Sequence, residues 1–301
     1  MPKSSVAIRA TWVAIGANVL LLVLKASASG LSDSLTIFSE TLNSLADVVS
    51  AVVIVLCVRW AWQRPDAGHP FGHRRAEPIA GLVVAIFAGI LGFEVCRTAV
   101  IDLWRGDLPE RIGPYPIIAL CISVVLKSWL TVYFRRRGEQ LNSPALRATA
   151  IDSRNDVLIS LQGLAAVALA EYRLPMLDTL AALLVGVYIL YSAHRIGMEN
   201  VDYLMGRSPD PLLLKRIREA AEGVDGVEGV SDIKAHYVGT MIHVELAAIV
   251  DGSLSTTDSH DVCESTRSAV ETIDSVDRAF VHISPVPPAR RDGVNATDGD
   301  G

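Results

Sequence analysis

The stretch "AIDSRNDVLIS", residues 150–160, sets Asp152 and Asp156 one helical turn apart at the head of an apolar run. An ionised carboxylate in hydrocarbon is expensive, so such residues usually line a pathway or hold a cation. A second stretch, "SLTIFSETLNSLADVVS" at 34–50, repeats the arrangement with Asn43 and Asp47. Side chains four apart on a helix lie about 5–6 Å from one another, so each segment presents two oxygen donors side by side. Three clustered carboxylates repel one another and take up protons unless a cation is present. A divalent ion relieves that repulsion, and its departure invites protons back. Those four residues therefore have the chemistry of a metal/proton exchange site.

The pairs belong to longer stripes. Ala145, Thr149, Asp152, Asp156, Ser160 and Gly163 recur at three- and four-residue steps, as do Thr36, Glu40, Asn43, Asp47 and Ser50. Each stripe puts one small or polar face along an otherwise greasy helix. Small neighbours let two such helices approach closely. One isolated aspartate would read equally well as a helix cap or an ion-pair partner; two matching pairs argue for a shared site. By the same geometry Arg154 points away from the aspartate stripe, and Glu40 shares a face with Asn43.

The helices that carry these stripes sit in a membrane-protein pattern. Half of the 301 residues are apolar and a fifth are charged. A spanning helix needs about 20 mostly apolar residues, and candidates fall near 11–29, 34–62, 78–101, 114–134, 144–170 and 175–197. The first resembles a signal peptide, but Asn18 and Lys25 interrupt its core and five further spans follow. The fifth is the weakest, strongly apolar only in "VLISLQGLAAVALA". Arg59, Arg64, Arg74, Arg75, the "RRR" at 135–137, Arg147, Arg195 and Arg207 all fall on one side of this arrangement. The positive-inside bias places both termini of this six-span arrangement in the cytoplasm, and the expected location is the inner (plasma) membrane.

Charge divides the chain. Residues 1–207 carry 19 Lys/Arg and 16 Asp/Glu, whereas residues 208–301 carry 8 and 17. The acidic half argues against a nucleic-acid partner. Cys57, Cys96, Cys121 and Cys263 are scattered without a CxxC pair, so neither a disulfide framework nor a zinc-thiolate site is expected. Beyond Gly206, "DPLLLKRIREAAEG" has helical periodicity with Ser208 or Asp210 as cap. Two β-rich runs joined around Gly239-Thr240 read as a hairpin. A helix opened by Ser255 or Asp258 and a final strand stopped by Pro285 complete an αββαβ order, a small two-layer α+β domain. The expected division is 1–207 for the membrane part, 208–286 for the soluble domain and 287–301 for a polar, disordered tail.

These motifs resemble the cation diffusion facilitator family, along the chain from the first span to Pro285. The carriers are "NSLAD" in span two, "DSRND" in span five and "HPFGHRRAEPI" at 69–79. The resemblance implies a six-helix transmembrane domain followed by a cytoplasmic ferredoxin-like domain, a homodimer in the lipid bilayer, and export of divalent metal ions against protons. It implies no enzyme activity and no organic cofactor. It also assigns Asn43, Asp47, Asp152 and Asp156 to the transport site. Zinc-selective members usually carry HxxxD in this site; one amide and three carboxylates resemble the manganese-exporting branch. All-oxygen donors suit hard ions, so Mn²⁺ is the expected cargo, ahead of Fe²⁺ or Zn²⁺.

Two further clusters come from the resemblance. Asp66, His69 and His73 coincide with an accessory loop site, although helix capping and loop packing would use the same residues. His243, His260 and His282 match metal-binding positions of some relatives' soluble domains. Ser231 and Ser284 stand at two further ligand positions there, and Met205 stands where an acid bridging to Arg74 or Arg75 is expected. Two other classes fit less well. An intramembrane aspartyl protease would carry a GxGD-type motif, and neither Asp47 nor Asp156 has one. A membrane-tethered sensor that transports nothing would not need polar stripes through the bilayer.

Overall fold

The computed structural model describes residues 3–30, 35–105, 114–171 and 175–286. The tail expected at 287–301 and the three segments 31–34, 106–113 and 172–174, between spans one and two, three and four, and five and six, lie outside them. The chain divides into two units, Met1–Met205 and Gly206–Gly301.

The first unit is helical: α1 (Lys3–Gly30), α2 (Leu35–Ala61), α3 (Ala76–Arg105), α4 (Pro114–Leu141), α5 (Pro144–Glu171) and α6 (Pro175–Leu204). α4, α5 and α6 each open on proline, whose fixed φ suits the first helical turn and whose missing N–H is not needed there. α4 ends where Asn142 takes a left-handed φ of 50°. Pro144 starts α5 two residues later, and the Ser143 hydroxyl between them accepts from the Leu146 N–H at 3.4 Å. Ala80, Val84, Ala148 and Ile196 are buried in one core cluster, and Ala14, Leu130, Phe134 and Ala150 in another. Large apolar side chains instead face outward, among them Ile86, Ile90, Phe93, Val125 and Leu184. An outside this apolar belongs in lipid rather than water. Among the described residues five helices, α1–α4 and α6, are long and apolar enough to cross a membrane. α5 falls short of that measure, because the polar stripe occupies its first half.

The second unit runs α7 (Pro211–Glu222), β1 (Gly229–Val238), β2 (Met241–Asp251), α8 (Thr256–Glu271) and β3 (Val276–Val286). Asp210 caps α7 by accepting from the Leu212 N–H at 2.8 Å. Ser255 caps α8: its Oγ accepts from the Asp258 N–H and donates to the Asp258 carboxylate, so residue 258 completes the cap rather than forming it. β1 and β2 form the antiparallel hairpin, turning at Gly239 with φ of 63°. β3 returns through α8 to lie parallel to β2, giving the order β1-β2-β3. Val244, Leu246 and Ala248 on the sheet pack against Ile217 and Ala221 of α7 and Val270 of α8. Pro285 does not stop the last strand. It lies inside β3 opposite Val250, which an edge strand permits because one row of its N–H groups needs no partner.

Candidate metal centre

The two polar stripes meet. α2 contributes Asn43 and Asp47, α5 contributes Asp152 and Asp156, and one carboxylate oxygen from each of the three aspartates lies within 4.8 Å of the others. Asn43, Asp47 and Asp156 line a small polar cavity together with Lys25 of α1, Ser123 and Lys127 of α4, and Ile159 and Ser160 of α5. All four residues expected from the sequence are thus gathered by four helices. The stripes meet through their side chains rather than by close packing of the two backbones: α5 lies against α3, α4 and α6, and α2 against α1 and α3, so the close approach expected of the two striped helices is not what joins them. Ser44, Ser50, Thr149, Ser153 and Ser160 are buried on the two helices.

Lys127 is the residue that sequence reasoning missed. Its ammonium lies 2.9 Å from Asp47 Oδ2 and 2.5 Å from Asp156 Oδ2, joining α2, α4 and α5 at one point. The side chains of Lys127, Asp47 and Asp156 are 5%, 13% and 7% exposed, so these are buried ion pairs with little water to weaken them. Asp156 Oδ1 is buried with no hydrogen-bond partner among the described residues. Two ammonium groups, Lys127 and Lys25, against three carboxylates still leave an excess of negative charge in a space lined by oxygen donors. That excess and that free oxygen suit a hard divalent cation.

The remaining expected positions divide. Asp66, His69 and His73 come together in the loop after α2. Asp66 Oδ1 lies 3.5 Å from His69 Nδ1, Asp66 Oδ2 lies 3.3 Å from His73 Nε2, and the imidazole rings are 4.4 Å apart. Asp66 Oδ1 also accepts from the backbone N–H groups of His69 at 2.7 Å and Gly68 at 2.9 Å. The bond from His69 foremost, then the bond from Gly68 and the two imidazoles, hold the carboxyl below its ordinary range against an opposing desolvation effect second only to the His69 bond.

His243, His260 and His282 are not brought together. β2 and β3 place His243 opposite Arg278 and His282 opposite Ala247. The two histidines therefore share a face but stand about 13 Å apart at roughly 3.3 Å per residue. His260 is exposed on α8, across the sheet. His243 instead sits 3.6 Å from Asp277 Oδ2, with the His236 ring 5.9 Å away. Arg154 does point away from the aspartates, its guanidinium lying over the Tyr188 ring at 5.5 Å. The side chains of Thr36 and Glu40 lie outside the described residues.

Comparison with known proteins matches the same two units. The cation efflux transmembrane domain matches residues 11–205, and the cation efflux protein cytoplasmic domain matches residues 209–286. An uncharacterized transporter of Methanocaldococcus jannaschii is 32% identical over 274 residues, covering 91% of this chain and 96% of its own. Manganese efflux system proteins MneS and MneP of Bacillus subtilis are 26% and 27% identical, each covering 91% of this chain and 94% of their own. The two domain matches together run from residue 11 to residue 286, and the chain belongs to the cation efflux, or cation diffusion facilitator, family of membrane metal transporters, which are not enzymes.

Proposed function

We propose that this protein exports Mn²⁺ from the cytoplasm by metal/proton antiport, through a transport site made of Asn43, Asp47, Asp152 and Asp156. The observation that carries the reading is the convergence of three carboxylates from α2 and α5 on one buried point, beside an amide and with no imidazole in the cavity lining. Hard oxygen donors favour Mn²⁺ over Zn²⁺, and the printed names of MneS and MneP supply a precedent for manganese. In this scheme α5 is the sixth span, accepted despite its polar half because α3, α4 and α6 pack around it. Both termini face the cytoplasm. Residues 1–207 form the transport unit, residues 208–286 form a ferredoxin-like dimerisation and regulatory domain, and the working form is a homodimer.

Access alternates. An inward-open state loads the ion from the cytoplasm, the helix carrying Asp152 and Asp156 shifts against its neighbours, and the ion leaves outward. Protons then neutralise the aspartates for the return. The Asp66, His69 and His73 loop supplies an accessory site at the cytoplasmic ends of α2 and α3. Metal flux into proteoliposomes under an imposed pH gradient tests the reading, with Mn²⁺, Fe²⁺ and Zn²⁺ compared and Asp156→Ala as the blank. The expected result is Mn²⁺ flux well above Zn²⁺ flux and no flux in the blank. Equal or greater Zn²⁺ flux would retain the transporter and discard the selectivity argument, whereas flux through the blank would discard the site.

A further inference from the structure

Resting on that assignment of the transport site, we infer that Lys127 is an internal counter-cation that occupies the site between transport events and is displaced by the arriving metal ion. It touches Oδ2 of Asp47 at 2.9 Å and Oδ2 of Asp156 at 2.5 Å, so it bridges both helices that supply the metal ligands. An ion bound to either oxygen at about 2.1–2.6 Å would lie no more than about 5.5 Å from the ammonium. At that separation, in a buried site, a divalent ion and an ammonium repel each other strongly. Occupation by Nζ and occupation by metal are therefore alternatives. The lysine's four-carbon stem is flexible, and Ser123 and Ser160 line the same cavity, so a small shift of the ammonium would exchange carboxylate oxygens for hydroxyls.

The consequence is a set point for affinity. The empty site keeps two of its three carboxylates paired, so the unloaded transporter is not left with bare buried charges. The same pairing makes metal binding weaker than three free aspartates would allow, and weaker binding speeds release. A lysine that merely braced α2, α4 and α5 would behave in the opposite way, because its removal would loosen the site and weaken metal binding.

Isothermal titration of the purified full-length protein with Mn²⁺ at fixed pH distinguishes the two. Lysine 127 is replaced in Lys127→Gln and Lys127→Arg, and Asp156→Ala serves as the site control. The expected result for Lys127→Gln is Mn²⁺ binding about tenfold tighter, from loss of a competing charge in a buried site, together with slower turnover in proteoliposomes. Unchanged or weaker binding in Lys127→Gln overturns the inference. Recovery of that variant only when Mn²⁺ is present during purification supports it, since metal then replaces the missing cation. If the neutral variant does not fold, Lys127→Arg decides. Its planar fork makes more hydrogen bonds to carboxylates than an ammonium does, so Mn²⁺ should bind at least about threefold more weakly than in the wild type, and equal or tighter binding overturns the inference. Full Mn²⁺ binding by Asp156→Ala would instead sink the transport-site reading itself, whatever Lys127 does.

Discussion

The amide of Asn200 on α6 lies directly over Gly81 on α3: a methyl group at residue 81 would fall 2.1 Å from Asn200 Oδ1 and 2.4 Å from Cγ. The Asn200 amide is itself tied down, its Nδ2 donating to the Ile196 carbonyl at 2.8 Å. Gly92 and Gly186 repeat the close approach higher on the same pair, against Leu190 N at 3.0 Å and Cys96 Sγ at 2.6 Å. α3 and α6 are thus held by missing side chains, the usual way helices associate where lipid supplies no hydrophobic drive.

Gly81→Ala is therefore expected to destabilise the membrane unit by about 1–3 kcal/mol through overpacking. Thermal unfolding in detergent measures it. Because the obstruction is the Asn200 side chain, Gly81→Ala combined with Asn200→Ala should lose much less than the sum of the two single changes. An additive double mutant would mean that the two residues do not meet.

Metal preference should follow donor type at the transport site. Asn43→His with Asp152→His gives each of α2 and α5 one imidazole and one carboxylate, a set softer than the original. Competition between Zn²⁺ and Mn²⁺ for transport should shift toward Zn²⁺. A double variant that folds, transports Mn²⁺ and still ignores Zn²⁺ would show that ligand hardness is not the selector.

The loop after α2 should bind a second ion per chain. Asp66→Ser preserves an oxygen for the Gly68 and His69 N–H groups, because a serine hydroxyl forms the same kind of local turn more weakly. It removes the carboxylate that faces both imidazoles. Metal stoichiometry at saturation is expected to fall by one per chain, with transport-site binding intact. Unaltered stoichiometry would leave Asp66, His69 and His73 as loop packing only.

The soluble unit should weaken in acid through His243. Burial pushes its imidazole below the ordinary value, and the Asp277 carboxylate opposes that shift while His236 and Arg278 reinforce it. A histidine depressed in the folded state is harder to protonate there than in the unfolded chain. Stability from this group is thus intact above about pH 6.5 and declines below it, by at most about 1.4 kcal/mol per pH unit. Hydrogen exchange at β2 amides, corrected for intrinsic rates, should lose protection between pH 7.5 and 5.5 in the wild type and lose less in His243→Gln. Equal losses would place the acid sensitivity elsewhere.

The gathering of Asn43, Asp47, Asp152 and Asp156 was legible because charge inside a greasy segment is rare, and helical periodicity alone aligns Asp152 with Asp156 and Asn43 with Asp47. Lys127 carried the same signal more faintly. In "ISVVLKSWL" it is the single charge, marked at helical spacing only by the hydroxyl of Ser123 rather than by a second ionisable group, and periodicity does not say which helices will face one another. Its partners lie 80 and 29 residues away in the chain. The soluble-domain histidines failed for a related reason: strand assignments were readable, but the β2/β3 register that separates His243 from His282 was not. Pro285 misled because proline ends a central strand, and nothing local shows that β3 is an edge.

α5 also bears on how the protein is made. By its own apolarity it is a poor candidate for insertion into a bilayer, yet it follows α4 after only Asn142 and Ser143. The two helices therefore emerge from the ribosome as one hairpin, with Lys127 on the first arm and Asp156 on the second, and these two side chains pair in the finished fold. A hairpin whose opposite charges neutralise each other partitions into lipid more readily than either arm alone. The Lys127–Asp156 contact thus bears on biogenesis as well: losing either charge is expected to penalise membrane integration of the hairpin before any metal is bound.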